Sequence, residues 1–140
     1  MRAAGAMVVD LFRSLAPSLL LAGCSSGMQD VPLEECTGDQ ASVTVSDGLS
    51  PMISWAPGCG MSSLDVFPTA GGSSLWVVYS GDQALENPFR SGIRYGDAPA
   101  GALEVAGPVP PAVGTQYTVA VYRSDGGGAR VQAGVATFRP

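Results

Sequence analysis

From Ala41 onward, apolar residues recur at every second position in short runs, and each run stops at glycine, proline or aspartate. Ala41 to Ser46 sets Val43 and Val45 against Ser42, Thr44 and Ser46, then ends at Asp47-Gly48. Pro51 to Ala56 places Ile53 and Trp55 on one face, and Leu64 to Phe67 alternates Leu64 and Val66 with Asp65 and Phe67 before Pro68. Leu75 to Tyr79 is continuously apolar and stops at Ser80-Gly81-Asp82. Ile93 to Tyr95 and Ala102 to Ala106 are shorter runs of the same kind. Gln116 to Arg123 alternates Tyr117, Val119 and Val121 with Thr118, Ala120 and Tyr122. A glycine run at 126–128 makes a turn, and Ala129 to Phe138 closes the chain, with Gly134 where the alternation slips by one, the mark of a bulge. A period of two means one buried face and one wet one. No stretch after residue 30 carries a helical period. Seven or eight such strands, at spacings of about 8–12 residues with turns between neighbours, predict an all-β sandwich.

The N-terminal stretch follows another rule. Arg2 and Arg13 flank an apolar core from Leu15 to Ala22 that Pro17 and Ser18 interrupt. It falls well short of the ~20 apolar residues of a spanning helix. Positive flanks, a short apolar centre and small residues at its end describe a signal peptide. The core ends in Leu21-Ala22-Gly23-Cys24, which resembles the lipobox of bacterial lipoproteins, and a polar Ser25-Ser26-Gly27 follows. Asp10 departs from the usual charged region, and the other reading of the stretch is a buried helix ending at a glycine. The resemblance implies that residues 1–23 are removed and that the Cys24 thiol carries a diacylglyceryl group. Hydrocarbon burial is worth about 0.8 kcal/mol per CH₂, and two chains hold where one is marginal. Ser25 in the second mature position implies sorting to the outer membrane of a two-membrane envelope. Residues 24–40 read as a tether, with a root-mean-square reach of about 20 Å for its polar part, and 41–140 as the folded domain.

Composition narrows the partners. From Cys24 onward five arginines face eleven Asp and Glu, a net charge of −6, and the chain has no Lys and no His. That balance argues against nucleic acid and against anionic surfaces held by charge alone. Once Cys24 is lipidated, Cys36 and Cys59 remain. An even number in an exported chain reads as a disulfide, worth roughly 3 kcal/mol for a loop of this length in the chain-entropy model. The alternative is a pair of buried free thiols.

Two stretches sharpen the fold. Pro51-Met52-Ile53-Ser54-Trp55-Ala56-Pro57 resembles the second strand of a fibronectin type III domain with its buried Trp. Val113-Gly114-Thr115-Gln116-Tyr117-Thr118-Val119-Ala120-Val121 resembles the Leu-x-x-Gly-x-x-Tyr-x-Val-x-Val run of that family, Val113 taking the Leu position. The resemblance implies a sandwich over residues 41–140 in which Tyr117 turns a corner, its hydroxyl bonding upstream backbone while its ring enters the core. Two features depart from the family: the long Gly81–Gly101 connection and the Cys36/Cys59 pair. A generic immunoglobulin-like sandwich is the variant reading.

The residue inventory excludes much chemistry. Without His there is no Ser-His or Cys-His couple and no imidazole ligand, and without Lys no Ser-Lys pair or Schiff base. No Gly-x-Ser-x-Gly elbow occurs, and with no His and no third free Cys a zinc shell cannot close. Asp82, Glu86 and Asp97 match no calcium loop. Neither catalysis nor a cofactor is expected. In the long connection Phe89, Arg90, Arg94 and Tyr95 form a group of the kind enriched at binding hot spots. The competing reading puts Ile93 and Tyr95 in the core and the arginines in water. The expected role is a lipid-anchored envelope module that binds or scaffolds a protein or glycan partner. The alternatives are a non-catalytic subunit of a larger assembly and a glycan-binding module.

Overall fold

The computed structural model describes residues 41–81 and 86–140. The expected signal peptide, the tether with Cys24 and Cys36, and Asp82 lie outside the described residues. Eight strands follow in chain order: β1 (Ser42–Val45), β2 (Met52–Ala56), β3 (Ser63–Pro68), β4 (Trp76–Tyr79), β5 (Ile93–Arg94), β6 (Leu103–Ala106), β7 (Tyr117–Ser124) and β8 (Arg130–Phe138). They form two antiparallel sheets, one ordered β1-β2-β5 and the other β6-β4-β3-β7-β8. No α-helix occurs among the described residues. The all-β expectation holds.

The alternation explains which face each strand buries. Ile53 and Trp55 from β2 and Ile93 from β5 meet Leu64, Val66, Trp76, Val78, Val119 and Val121 from the larger sheet in one core. Most of these side chains are wholly removed from water, each worth about 1.5–3 kcal/mol of transfer free energy. The Trp55 indole N–H donates to the Cys59 carbonyl at 2.7 Å, so its polar edge is satisfied inside the core. β3 runs on to Pro68, which pairs with Tyr117, instead of breaking before it. A proline is tolerated there because it ends the strand.

β7 departs from simple alternation. Its inward residues are buried as expected, but Thr118 and Ala120, on the opposite face, are buried too. β7 lies between β3 and β8, and the small Ala120 is flanked by its register partners Asp65 and Val135. Neighbours on both sides cover a methyl group without any second layer.

The β7–β8 hairpin turns through Asp125–Ala129. One oxygen of the Asp125 carboxylate accepts from Gly127 N at 2.8 Å and Ala129 N at 3.0 Å. Gly126 and Gly128 sit at φ +81° and +92°, which residues with a Cβ rarely adopt.

The bulge lies where the sequence places it. Val121 pairs with Gly134 but Tyr122 pairs with Gln132, so Ala133 is the extra residue. Here β1 closes against β8, with Ala41 N donating to Ala133 O at 2.9 Å. A Cβ on Gly134 would lie 2.4 Å from Ala41 O and 2.7 Å from Val43 Cγ2. The requirement for glycine here is therefore close approach. Gly134→Ala is expected to destabilise the domain by about 1–3 kcal/mol, the usual cost of overpacking. The midpoint of urea unfolding measures it, and an unchanged midpoint would mean that β1 shifts away freely.

Candidate functional site

Residues 88–92 before β5, β5 itself and residues 97–100 after it build an open groove of about 530 Å³ against Met52 at the start of β2. Phe89 is fixed by reciprocal backbone bonds with Met61, N to O at 2.8 and 3.0 Å, and its ring is buried. Gly92 N donates to Ile53 O at 3.1 Å, which starts β5 beside β2. The register then pairs Met52 with Arg94, placing a thioether beside a guanidinium on the groove wall.

The four residues singled out between Gly81 and Gly101 separate into two pairs. Phe89 and Tyr95 are core residues, as is Ile93 between them. Arg90 and Arg94 are exposed and line the groove with Asp97. Arg94 Nη1 donates to Ser50 O at 3.3 Å, which ties its head to the β1–β2 turn. Tyr95 packs edge-on against Trp76, with centroids 5.2 Å apart, and donates its hydroxyl proton to Val109 O. Burial, with the nearby Tyr117 acting in the same direction, pushes the Tyr95 phenol up to about 12, so the donor persists at any ordinary pH.

Two guanidiniums and a carboxylate above a floor of Met52, Pro88 and Pro99 can orient a ligand, and the volume falls within the range of small-ligand sites. No group of three His, Cys, Asp or Glu among the described residues is placed to hold a metal ion. Of the other expected site residues, Trp55 and Tyr117 are both buried, at 4% exposure each. Tyr117 Oη accepts from Ala112 N at 2.8 Å, and its ring packs against Phe138. Val113, matched above to an apolar motif position, is instead 78% exposed. Cys59 is fully buried and is not a free thiol. Cys24 and Cys36 lie outside the described residues.

A second constellation was not legible in the sequence. On the outer face of the larger sheet, Ser63 pairs with Tyr79 on one side and Tyr122 on the other. The Arg130 guanidinium lies 3.6 Å from the Tyr122 ring centroid and 5.1 Å from that of Tyr79, and Nη1 donates to Tyr79 Oη at 2.8 Å. No helix among the described residues is long and apolar enough to cross a membrane. No protein-family model matches this chain, and no significant match was found among curated proteins or solved structures.

Proposed function

We propose that this protein is a lipid-anchored module of the bacterial cell envelope, held in the outer membrane through Cys24, that binds or scaffolds a partner and has no catalysis of its own. The observation that carries the binding reading is the groove over β2 and β5, where Arg90, Arg94 and Asp97 stand above an apolar floor. The anchor rests on Leu21-Ala22-Gly23-Cys24. The folded part is an immunoglobulin-like sandwich of the fibronectin type III kind, and the strand order supports that type. In the immunoglobulin arrangement the first, second and fifth strands share a sheet, and the third adjoins the sixth, which adjoins the seventh. Here β1, β2 and β5 share a sheet, β3 adjoins β7, and β7 adjoins β8. β4 and β6 extend the sheet beyond β3, as added strands do in variable-type domains. β6 departs from that scheme because it follows β5 in the chain. The Tyr117 hydroxyl bonded five residues upstream is a corner of the expected kind. Cys36 is the proposed partner of Cys59.

Cys24→Ala is expected to abolish incorporation of a fatty-acid analogue and to release the protein from membranes, because the thiol is the attachment point. Undiminished labelling of the variant would end the anchor reading. The groove is tested separately, by affinity capture from detergent-solubilised envelopes with wild type and with Arg90→Ala/Arg94→Ala. Loss of a stoichiometric partner from the double variant supports the binding reading, and an unchanged set of partners removes it. The subunit alternative draws on β6, an edge strand among the described residues with Leu103 and Val105 exposed, whose outer edge suits pairing with a partner strand.

A further inference from the structure

The outer face of the larger sheet holds polar atoms that have no partner among the described residues. Ser63 is wholly buried, yet its Oγ makes no hydrogen bond to any described residue. A buried hydroxyl without a partner is a net cost to folding, and native folds rarely keep one without a reason. Ser63 lines a cleft of about 170 Å³ between β3, β4 and the β7–β8 turn, with Tyr79, Ser124 and Arg130 among its walls. The Ser62 hydroxyl is spent on Tyr122 O, but two others have a proton to give. Tyr79 Oη already accepts from Arg130, so its own proton is free, and Ser124 Oγ accepts from Gly126 N at 3.3 Å, leaving its proton unassigned. Arg130 has no carboxylate partner among the described residues, and no acidic residue lines the cleft. Two tyrosine rings fix the guanidinium in place, which lowers the entropy lost when it grips a ligand.

We propose that this cleft binds a small tetrahedral oxyanion, a phosphate or sulfate group, held by Arg130, Tyr79 and Ser63. Arg130 and the Tyr79 and Ser63 hydroxyls can all donate to it, and a guanidinium flanked by hydroxyls matches such an oxyanion. The cleft admits one small ion with its residual waters and not an extended chain. The Asp125 carboxylate in the adjoining turn is engaged by Gly127 N and Ala129 N. Asp65 lies two residues along β3 on the same face, and its Oδ1 is buried without a partner among the described residues. Its strand position is about 7 Å from that of Ser63, so it weakens anion binding without blocking it. The site is independent of the lipid anchor and can be tested without it.

The test uses the full chain carrying Cys24→Ala and follows thermal unfolding by Trp fluorescence as inorganic phosphate replaces chloride at constant ionic strength. The midpoint is expected to rise with the logarithm of phosphate concentration, as linkage requires. Arg130→Gln should remove that rise relative to its own midpoint in chloride. Ser63→Ala should leave the chloride midpoint unchanged or higher, having no bond to lose, and weaken phosphate binding several-fold. Asp65→Asn should strengthen it several-fold, a sign that general salt stabilisation does not give. Flotation of the same chain with vesicles of phosphatidylcholine and phosphatidic acid separates the sources. Flotation that free phosphate competes away assigns the site to a lipid headgroup, and a phosphate-dependent midpoint without flotation assigns it to the free ion. No rise in wild type, or an equal rise in Arg130→Gln, overturns the proposal.

Discussion

Trp76→Ala is expected to cost about 3–5 kcal/mol, the usual range for removing a buried indole, which is a large part of the stability of a domain this size. Trp76 is completely buried in the four-residue β4, and its ring meets the edge of Tyr95 at 5.2 Å. Tyr95 in turn bonds Val109 O and, through its carbonyl, Ser50 Oγ at 3.1 Å, so the indole backs a contact chain between the two sheets. Alanine would open a cavity that these held neighbours cannot collapse into. Trp76→Phe is the informative companion. The Trp76 Nε1 has no hydrogen-bond partner among the described residues, so phenylalanine removes an unsatisfied donor along with part of the ring. The lost volume costs stability, while removal of the orphaned N–H offsets part of that cost. Phe is therefore expected to retain more than half of the stability that Ala loses, as measured by urea midpoints at constant m. Equal losses in the two variants would mean that the N–H has a partner in solution.

The strands were legible because each one buries one face, and period two is the direct trace of that in sequence. Val43 and Val45, Ile53 and Trp55, and Leu64 and Val66 all point where their parity requires. Where both faces are shielded, the trace vanishes. Leu75 to Tyr79 is apolar throughout, so nothing in the run says that Trp76 and Val78 form the core while Tyr79 stays half-buried on the outside. The groove was half legible. Arg90 and Arg94 stood out by type, but the pairing of Met52 with Arg94 that builds its wall joins residues far apart in sequence. The Tyr79–Ser63–Tyr122 row was hidden for the same reason, since β3 must first be known to lie between β4 and β7. Arg130 depends further on the bulge. A one-residue slip exchanges the faces of a strand. Without Ala133 as an extra residue, Arg130 would fall on the face opposite Tyr122. The glycine that disturbed the alternation in the sequence thus sets the outer-face arginine, a link that only the register discloses.

Tyr117→Phe is expected to destabilise the domain by about 1–3 kcal/mol, because it leaves the Ala112 N–H without the acceptor it now has at 2.8 Å. Tyr117→Ala also removes a ring that is 4% exposed and packed on Phe138 at 5.6 Å, and should cost about 3–5 kcal/mol. Tyr122 is the control on the same strand. It has opposite parity, is half-buried on the outer face, and gives Arg130 its ring, not its hydroxyl. Tyr122→Phe keeps that ring and should shift stability by no more than about 0.5 kcal/mol. Urea unfolding of the chain from Pro32 onward retains both Cys36 and Cys59, so a lost disulfide does not confound the comparison. The contrast between the two phenylalanine variants isolates the corner hydrogen bond from the loss of a hydroxyl in general. If the two prove equally mild, water replaces the Tyr117 hydroxyl at Ala112 without cost, and the fibronectin-like reading loses the corner as its support.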